Sequence, residues 1–183
     1  MDTIQIIGYD RAAVNSTPFC PGPMKRNTWT MSFWEHDGQE RLAPADRVLL
    51  AEAREAAGRA YAPYSNFHVG AALRLVDGQV VSGNNQENAS FPAGICAERT
   101  ALHAAMSTRP EGVVETIAVV VPGAPDDRPV SPCGICRQAL LEQEHRQGRP
   151  LRVLLGTNTG KVLELASARD LLPLSFDATF LKP

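Results

Sequence analysis

Hydrophobic positions along this chain switch between two periods. From Pro44, the run PADRVLLAEAREAAGRAY places Leu49, Ala53, Ala56 and Ala60 on one face at helical spacing. Pro44 suits the first turn, where a missing N–H has no intrahelical partner to lose. NFHVGAALRLV and GQVVSG read as strands, and Asp77-Gly78 between them predicts a hairpin. After the loop NNQENASFPAG, the spacing predicts a second helix over about 95–107. ETIAVVV is a continuous β-branched run, the pattern of a strand buried on both faces. A Pro-rich loop leads to a third helix beginning near Cys133. PLRVLLGTNTGKVLEL predicts two strands around a very short turn, hence antiparallel. Ser167 can cap a last short helix, ARDLL. Hairpin, helix, strand, helix, hairpin implies an α/β fold in three layers, a mixed sheet of about five strands with helices on both faces.

Residues 1–43 read differently, as an extension preceding a domain over 44–183. NSTPFCPGPMKRN has the composition of a loop. The alternation of Trp29, Met31 and Phe33 in KRNTWTMSFWEH predicts a short strand, and Met24 is a second candidate start.

Composition narrows the function classes. The chain has 183 residues, 44% of them hydrophobic and 21% charged, with a net charge of −2. Nucleic-acid binders carry clustered positive surface, and no such run occurs, so no nucleic-acid partner is expected. No apolar stretch reaches the roughly 18 residues of a membrane span. The start, MDTIQIIGYDRAA, lacks a basic leader followed by a long apolar core, so a cytoplasmic protein is expected. The four cysteines, Cys20, Cys96, Cys133 and Cys136, then read as free thiols or metal ligands.

SPCGICRQAL carries the sharpest question. C-G-I-C can be a redox pair, half of a zinc site, or buried packing. Upstream, GICAERTA places Cys96 two residues before Glu98. Each segment sits at a predicted helix start, where free N–H groups and the helix dipole stabilise thiolates. Three cysteines would give zinc three ligands and leave a fourth position for water, with Glu98 beside it. A redox pair has no need of the upstream C-A-E. A closed structural zinc site needs a fourth ligand, and neither Cys20 nor His103 is well placed to supply it.

A ligand two residues before Glu, followed by P-C-x-x-C, is the signature of zinc deaminases. CAE and PCGIC match it, with thirty-six residues between Cys96 and Cys133. With YAPYSNFHVGAAL, NQENASFPAGICAERTAL, SPCGICRQ and LLPLSF, the chain resembles the cytidine deaminases of the short, three-cysteine, homotetrameric kind over about 45–180. The resemblance implies one zinc per chain on Cys96, Cys133 and Cys136, with Glu98 as the proton shuttle. It implies that Arg99 hydrogen-bonds the thiolates and that Asn85 and Glu87 hold the ribose of a free nucleoside. It further implies Phe67 packing on the nucleoside, the Ala97 N–H on the base carbonyl, and the Ser131 carbonyl near the departing amine. Phe176 would reach a neighbouring subunit's site in a homotetramer. Where Gln86 stands, the family often has an apolar residue. His36, His68, His103 and His145 have no matching role.

Overall fold

The computed structural model describes residues 25–181. Cys20 and the candidate start at Met24 lie outside them. The chain divides into two units, Met1–Ser32 and Phe33–Pro183. In the first, residues 25–32 form neither helix nor strand, and Trp29 is exposed. The strand expected there forms later, as β1 (Trp34–His36).

The second unit continues with α1 (Pro44–Ala57), β2 (Gly70–Leu75), β3 (Val80–Asn84), α2 (Ala97–Thr108), β4 (Val114–Val120), α3 (Gly134–Gln147), β5 (Arg152–Gly156) and β6 (Val162–Leu165). The α1 helix ends before Ala60 because the Gly58 N–H turns back to the Glu55 carbonyl and tightens the last turn. Gly78, at φ 85°, makes the β2–β3 turn in the left-handed region that glycine enters without steric cost. The strands form one six-stranded sheet ordered β1-β6-β5-β4-β2-β3, one more than expected, β1 being added at the β6 edge. Only β4 and β5 run parallel, joined by the α3 crossover.

Two glycines show which helix covers which face. Neighbours along a strand point to opposite faces, while cross-strand partners share one. Gly83 pairs with Ala71, so Gly70 faces the other way. A Cβ on Gly70 would lie 1.8 Å from the Ala53 carbonyl oxygen of α1. On Gly83 it would lie 2.4 Å from the Ala101 nitrogen of α2. The α1 and α2 helices therefore press on opposite faces, giving three layers, and α3 packs against α2. Leu49, Leu50 and Ala53 meet Ala72, Ala118, Val120 and Leu154 on the α1 side. Each leucine buried there contributes about 2 kcal/mol relative to exposure. No helix among the described residues is long and apolar enough to cross a membrane.

Register then positions the site. Asn84, the last residue of β3, pairs with Gly70, which pairs with Val120, the last of β4. The chain therefore leaves β3 and β4 at the same end of the sheet. The loops that follow deliver α2 and α3 with their first turns at that end. Cysteines far apart in sequence meet for this reason.

Candidate active site

Cys96 and Cys133 occupy the N-cap positions of α2 and α3, and neither side chain makes a capping bond to its own helix. Cys136 lies in the first turn of α3 and is fully buried. The three sulfurs all lie within 4.8 Å of one another, and Cys96 Sγ stands 3.7 Å from Cys133 Sγ. That spacing is far too long for a disulfide. It matches the edge of a tetrahedron of sulfurs around zinc, about 3.8 Å for Zn–S bonds of about 2.3 Å. Three thiols at two helix starts thus fit one zinc ion, and among the described residues no further Cys, His, Asp or Glu joins the cluster to claim the fourth corner.

The thiols do not ionise alike. The Cys96 pKa is lowered to about 5, first by hydrogen bonding from Cys136, against desolvation by burial and with help from Arg99 and Cys133. The same bond pushes Cys136 up, reinforced by burial and by the Glu98 charge. Glu98, in the first turn of α2, is only 4% exposed. Burial raises its carboxyl above the usual range, and the nearby Cys96 charge adds to the rise. A raised carboxyl holds and releases protons closer to neutral pH, as a proton shuttle requires. Burial opposes the charge on Arg99, but Cys96 and Cys136 outweigh that and hold it firmly protonated. Its Nε is buried without a hydrogen-bond partner.

The thiol cluster opens into a cleft of about 520 Å³ whose wall includes Cys96, Tyr64, Ser65, Asn85, Gln86 and Glu87. That volume suits a small ligand. Gln86 is held on both sides, its N–H and carbonyl bonded to Ile95 and its neighbours bonded to Tyr61. Asn85 spans the cleft floor, with Oδ1 accepting from the Val69 N–H at 2.8 Å and Nδ2 donating to the Phe67 carbonyl at 2.8 Å. Glu87 Oε2 accepts from the Tyr64 N–H at 2.9 Å and the Ser65 N–H at 3.3 Å, while Oε1 accepts from the Ser65 hydroxyl. These bonds hold Glu87 below the usual carboxylate range, the Ser65 hydroxyl contributing most. Asn66, the next residue, adopts the left-handed region at φ 54°. Tyr64 and Phe91 form an edge-to-face pair at the rim, with centroids 5.9 Å apart.

The structure brings together Cys96, Cys133, Cys136, Glu98 and Arg99, and it places Asn85 and Glu87 in the adjoining cleft. Ala97 is buried at the head of α2. The other expected residues stand apart from the cleft wall. Phe67 lines a neighbouring cavity with His68 and Val121. Ser131 is exposed, its hydroxyl accepting from Arg137 Nη2 at 2.9 Å. Phe176 is exposed and stacked on Phe180. No pattern in the sequence marks Ser65 or Tyr64 as part of a site. A serine two residues after proline is an ordinary turn pattern, and its partner Glu87 lies in a different loop.

Residues 44–147 match the family model described as the cytidine and deoxycytidylate deaminase zinc-binding region. The chain belongs to that family. It is 44% identical over 132 residues to a cytidine deaminase of Halalkalibacterium halodurans, covering 72% of this chain and 94% of that one. Among solved structures, the cytidine deaminase of Burkholderia pseudomallei superposes with a TM-score of 0.63 at 44% identity, over 70% of this chain and 97% of that one. The Mycobacterium tuberculosis cytidine deaminase gives 0.55 at 36% identity, over 70% and 94%. The matched zinc-binding region contains all three clustered cysteines, so the deaminase family's zinc and this donor set agree.

Proposed function

We propose that the chain hydrolyses cytidine and deoxycytidine to uridine and deoxyuridine with release of ammonia, one zinc per chain, in pyrimidine salvage. The observation that carries this is the buried Glu98 beside the Cys96, Cys133 and Cys136 cluster. Zinc, when bound, supplies the Lewis acidity that activates water. Glu98 takes the proton of the attacking water and places it on the ring nitrogen. It then carries the remaining hydroxyl proton to the amino group, which leaves as ammonia. One carboxyl with a raised pKa serves both transfers. Arg99 offsets the surplus negative charge of three thiolates on a divalent ion. Asn85 and Glu87 take the sugar hydroxyls, with the Ala97 N–H on the base carbonyl and the Ser131 carbonyl by the departing amine. Glu87 also disfavours a phosphate, so nucleosides are preferred to nucleotides. Phe67 packs on the nucleoside from the neighbouring cavity.

We propose 44–183 as the deaminase domain and 1–43 as an extension, of which Trp34–His36 form β1 within the Phe33–Pro183 unit. A homotetramer is proposed because exposed Ile135, Phe176 and Phe180 flank the first turns of α3, and a partner covering them would bring Phe176 to its neighbour's cleft. Clustered reduced thiols suit the cytoplasm.

The test is loss of cytosine's long-wavelength absorbance in cytidine solution, with Glu98→Gln in parallel. Turnover by the parent and none by the variant, at equal zinc content, supports the reading. A zinc-loaded parent that leaves cytidine unchanged overturns it.

A further inference from the structure

Arg137 directly follows Cys136 in α3, and its guanidinium is spread over three acceptors. Nε donates to the Pro132 carbonyl at 2.8 Å, Nη2 to the Ser131 hydroxyl at 2.9 Å, and Nη1 to the Leu171 carbonyl at 2.9 Å. Gln138, the next residue, donates from Nε2 to the Phe176 carbonyl at 3.0 Å. None of these acceptors is a carboxylate, so the planar fork fixes geometry rather than neutralising charge. Two of them lie immediately before Cys133, and Pro132 is buried. The other two belong to the C-terminal segment, where Leu171 closes the 3₁₀ turn Ala168–Leu171 and Phe176 lies five residues on. One turn of α3 therefore ties the loop that carries Cys133 to the tail that carries Phe176.

We propose that Arg137 is a positioning residue that fixes the Cys133 thiol for the metal, and that Arg137 and Gln138 couple the metal centre to the C-terminal tail. The tail's catalytic meaning rests on the proposed function; the effect on the metal does not. A loop held at two points beside a ligand loses little freedom when zinc binds, so freeing it loosens the ion. Coupling is reciprocal: a metal that orders the Cys133 loop must also order the tail through Arg137.

The experiment uses the zinc-loaded full chain as parent, Arg137→Met, Arg137→Lys and Gln138→Ala. Zinc release to an excess of chelator is followed with a metal indicator. Cleavage of the tail at Phe176 and Phe180 by chymotrypsin is followed with and without zinc. The Met variant is expected to release zinc about 10- to 100-fold faster, as loss of a group orienting a ligand does elsewhere. The Lys variant recovers part of this, since an ammonium can reach one acceptor but not all three. Gln138→Ala keeps the Arg137 tie to Leu171, so it loses only part of the zinc-dependent protection of the tail and releases zinc slightly faster than the parent. If the Met variant does not fold, the Lys variant and Ser131→Ala, which removes one acceptor, decide the release arm. Parental release rates in the Arg137 variants, or equal tail cleavage in loaded and stripped parent, overturn the proposal. Failure of the parent to deaminate cytidine would remove the proposed function and leave both these readouts standing.

Discussion

Asp46, in the first turn of α1, and Arg152, opening β5, meet 2.8 Å apart across 106 positions of sequence. Arg74 of β2 reaches the other Asp46 oxygen at 3.1 Å, and Arg152 Nε also donates to Glu164 at 2.7 Å, which holds His36 of β1 at 2.8 Å. Burial works against the Asp46 charge, but Arg152 and then Arg74 outweigh it and hold its carboxyl below the usual range. A folded-state pKa below the unfolded one gives stability that is complete above the unfolded value. It is lost as pH falls through the folded value. Asp46→Asn should therefore lower stability by about 3 kcal/mol at neutral pH, because it leaves two arginines without their shared carboxylate. The deficit should shrink below about pH 4. Urea unfolding at fixed protein concentration across that range measures it; a deficit that is constant with pH would contradict the account.

Gly83 and Gly70 give a paired test of what the sheet does for the site. Alanine at Gly83 drives a Cβ to within 2.4 Å of the Ala101 nitrogen and 2.9 Å of the Ala97 carbonyl oxygen. Backbone cannot give way there without moving α2, which carries Cys96 and Glu98. Alanine at Gly70 collides with α1 instead, on the face away from the thiols. Each substitution is expected to cost at least about 1–3 kcal/mol, the range for overpacking. Zinc affinity should fall for Gly83→Ala and stay near parental for Gly70→Ala in whatever fraction folds. Thermal unfolding and a chelator titration on both variants measure the two effects.

Stripping the metal exposes the order in which the thiols ionise. With Cys96 lowered to about 5 and Cys136 pushed up, one thiol of the stripped cluster should react rapidly with a disulfide reagent even in mildly acidic solution. Its rate should level off above about pH 6, when Cys96 is wholly thiolate, and the fast phase should vanish in Cys96→Ala. Zinc should suppress reaction at all three clustered thiols. Measurements in a Cys20→Ser background keep the fourth thiol of the chain from contributing.

The three-cysteine cluster and the buried Glu98 beside it are legible in the sequence because the proposed chemistry demands particular residue types at short spacings. C-A-E and P-C-x-x-C each lie within one helical turn, so local pattern is enough. The three α-helices and strands β2 to β6 are legible from their apolar periods and turn residues, and KRNTWTMSFWEH signals a short strand where β1 forms, though not its partner. What was hidden depends on contacts between distant segments. The β1 strand is three residues long, and its pairing with β6 rests partly on Glu35 to Lys161 and His36 to Glu164, partners more than 120 positions away. The roles of Asp46, Ser65 and Arg137 likewise come from partners that no local period encodes. Phe67 lines a cavity with His68 and Val121, and the bond from Asn85 Nδ2 to its carbonyl, between residues 18 apart, is another contact no local pattern encodes.

Ser65 offers the last test, because on the proposed function it bears on the nucleoside chiefly through Glu87. Its hydroxyl is the strongest of the donors that hold the Glu87 carboxylate ionised, and it also accepts from the Phe67 N–H at 3.0 Å. Removing it in Ser65→Ala should let the Glu87 pKa climb back toward its ordinary value and free the carboxylate to rotate. The loss of one charge-assisted bond corresponds to a rise in KM of about 5- to 10-fold for cytidine, with kcat unchanged, since Glu98 and the thiols are untouched. Because the parent carboxylate is the stronger acid, parent KM should hold steady further into acid than the variant's. The difference should open as pH falls from about 6 toward 4. A cytidine analogue lacking the sugar hydroxyl that Glu87 is proposed to take should bind both proteins alike. A fall in kcat without a change in KM would mean that Ser65 acts on the reacting atoms instead, and would remove Glu87 from the ribose site.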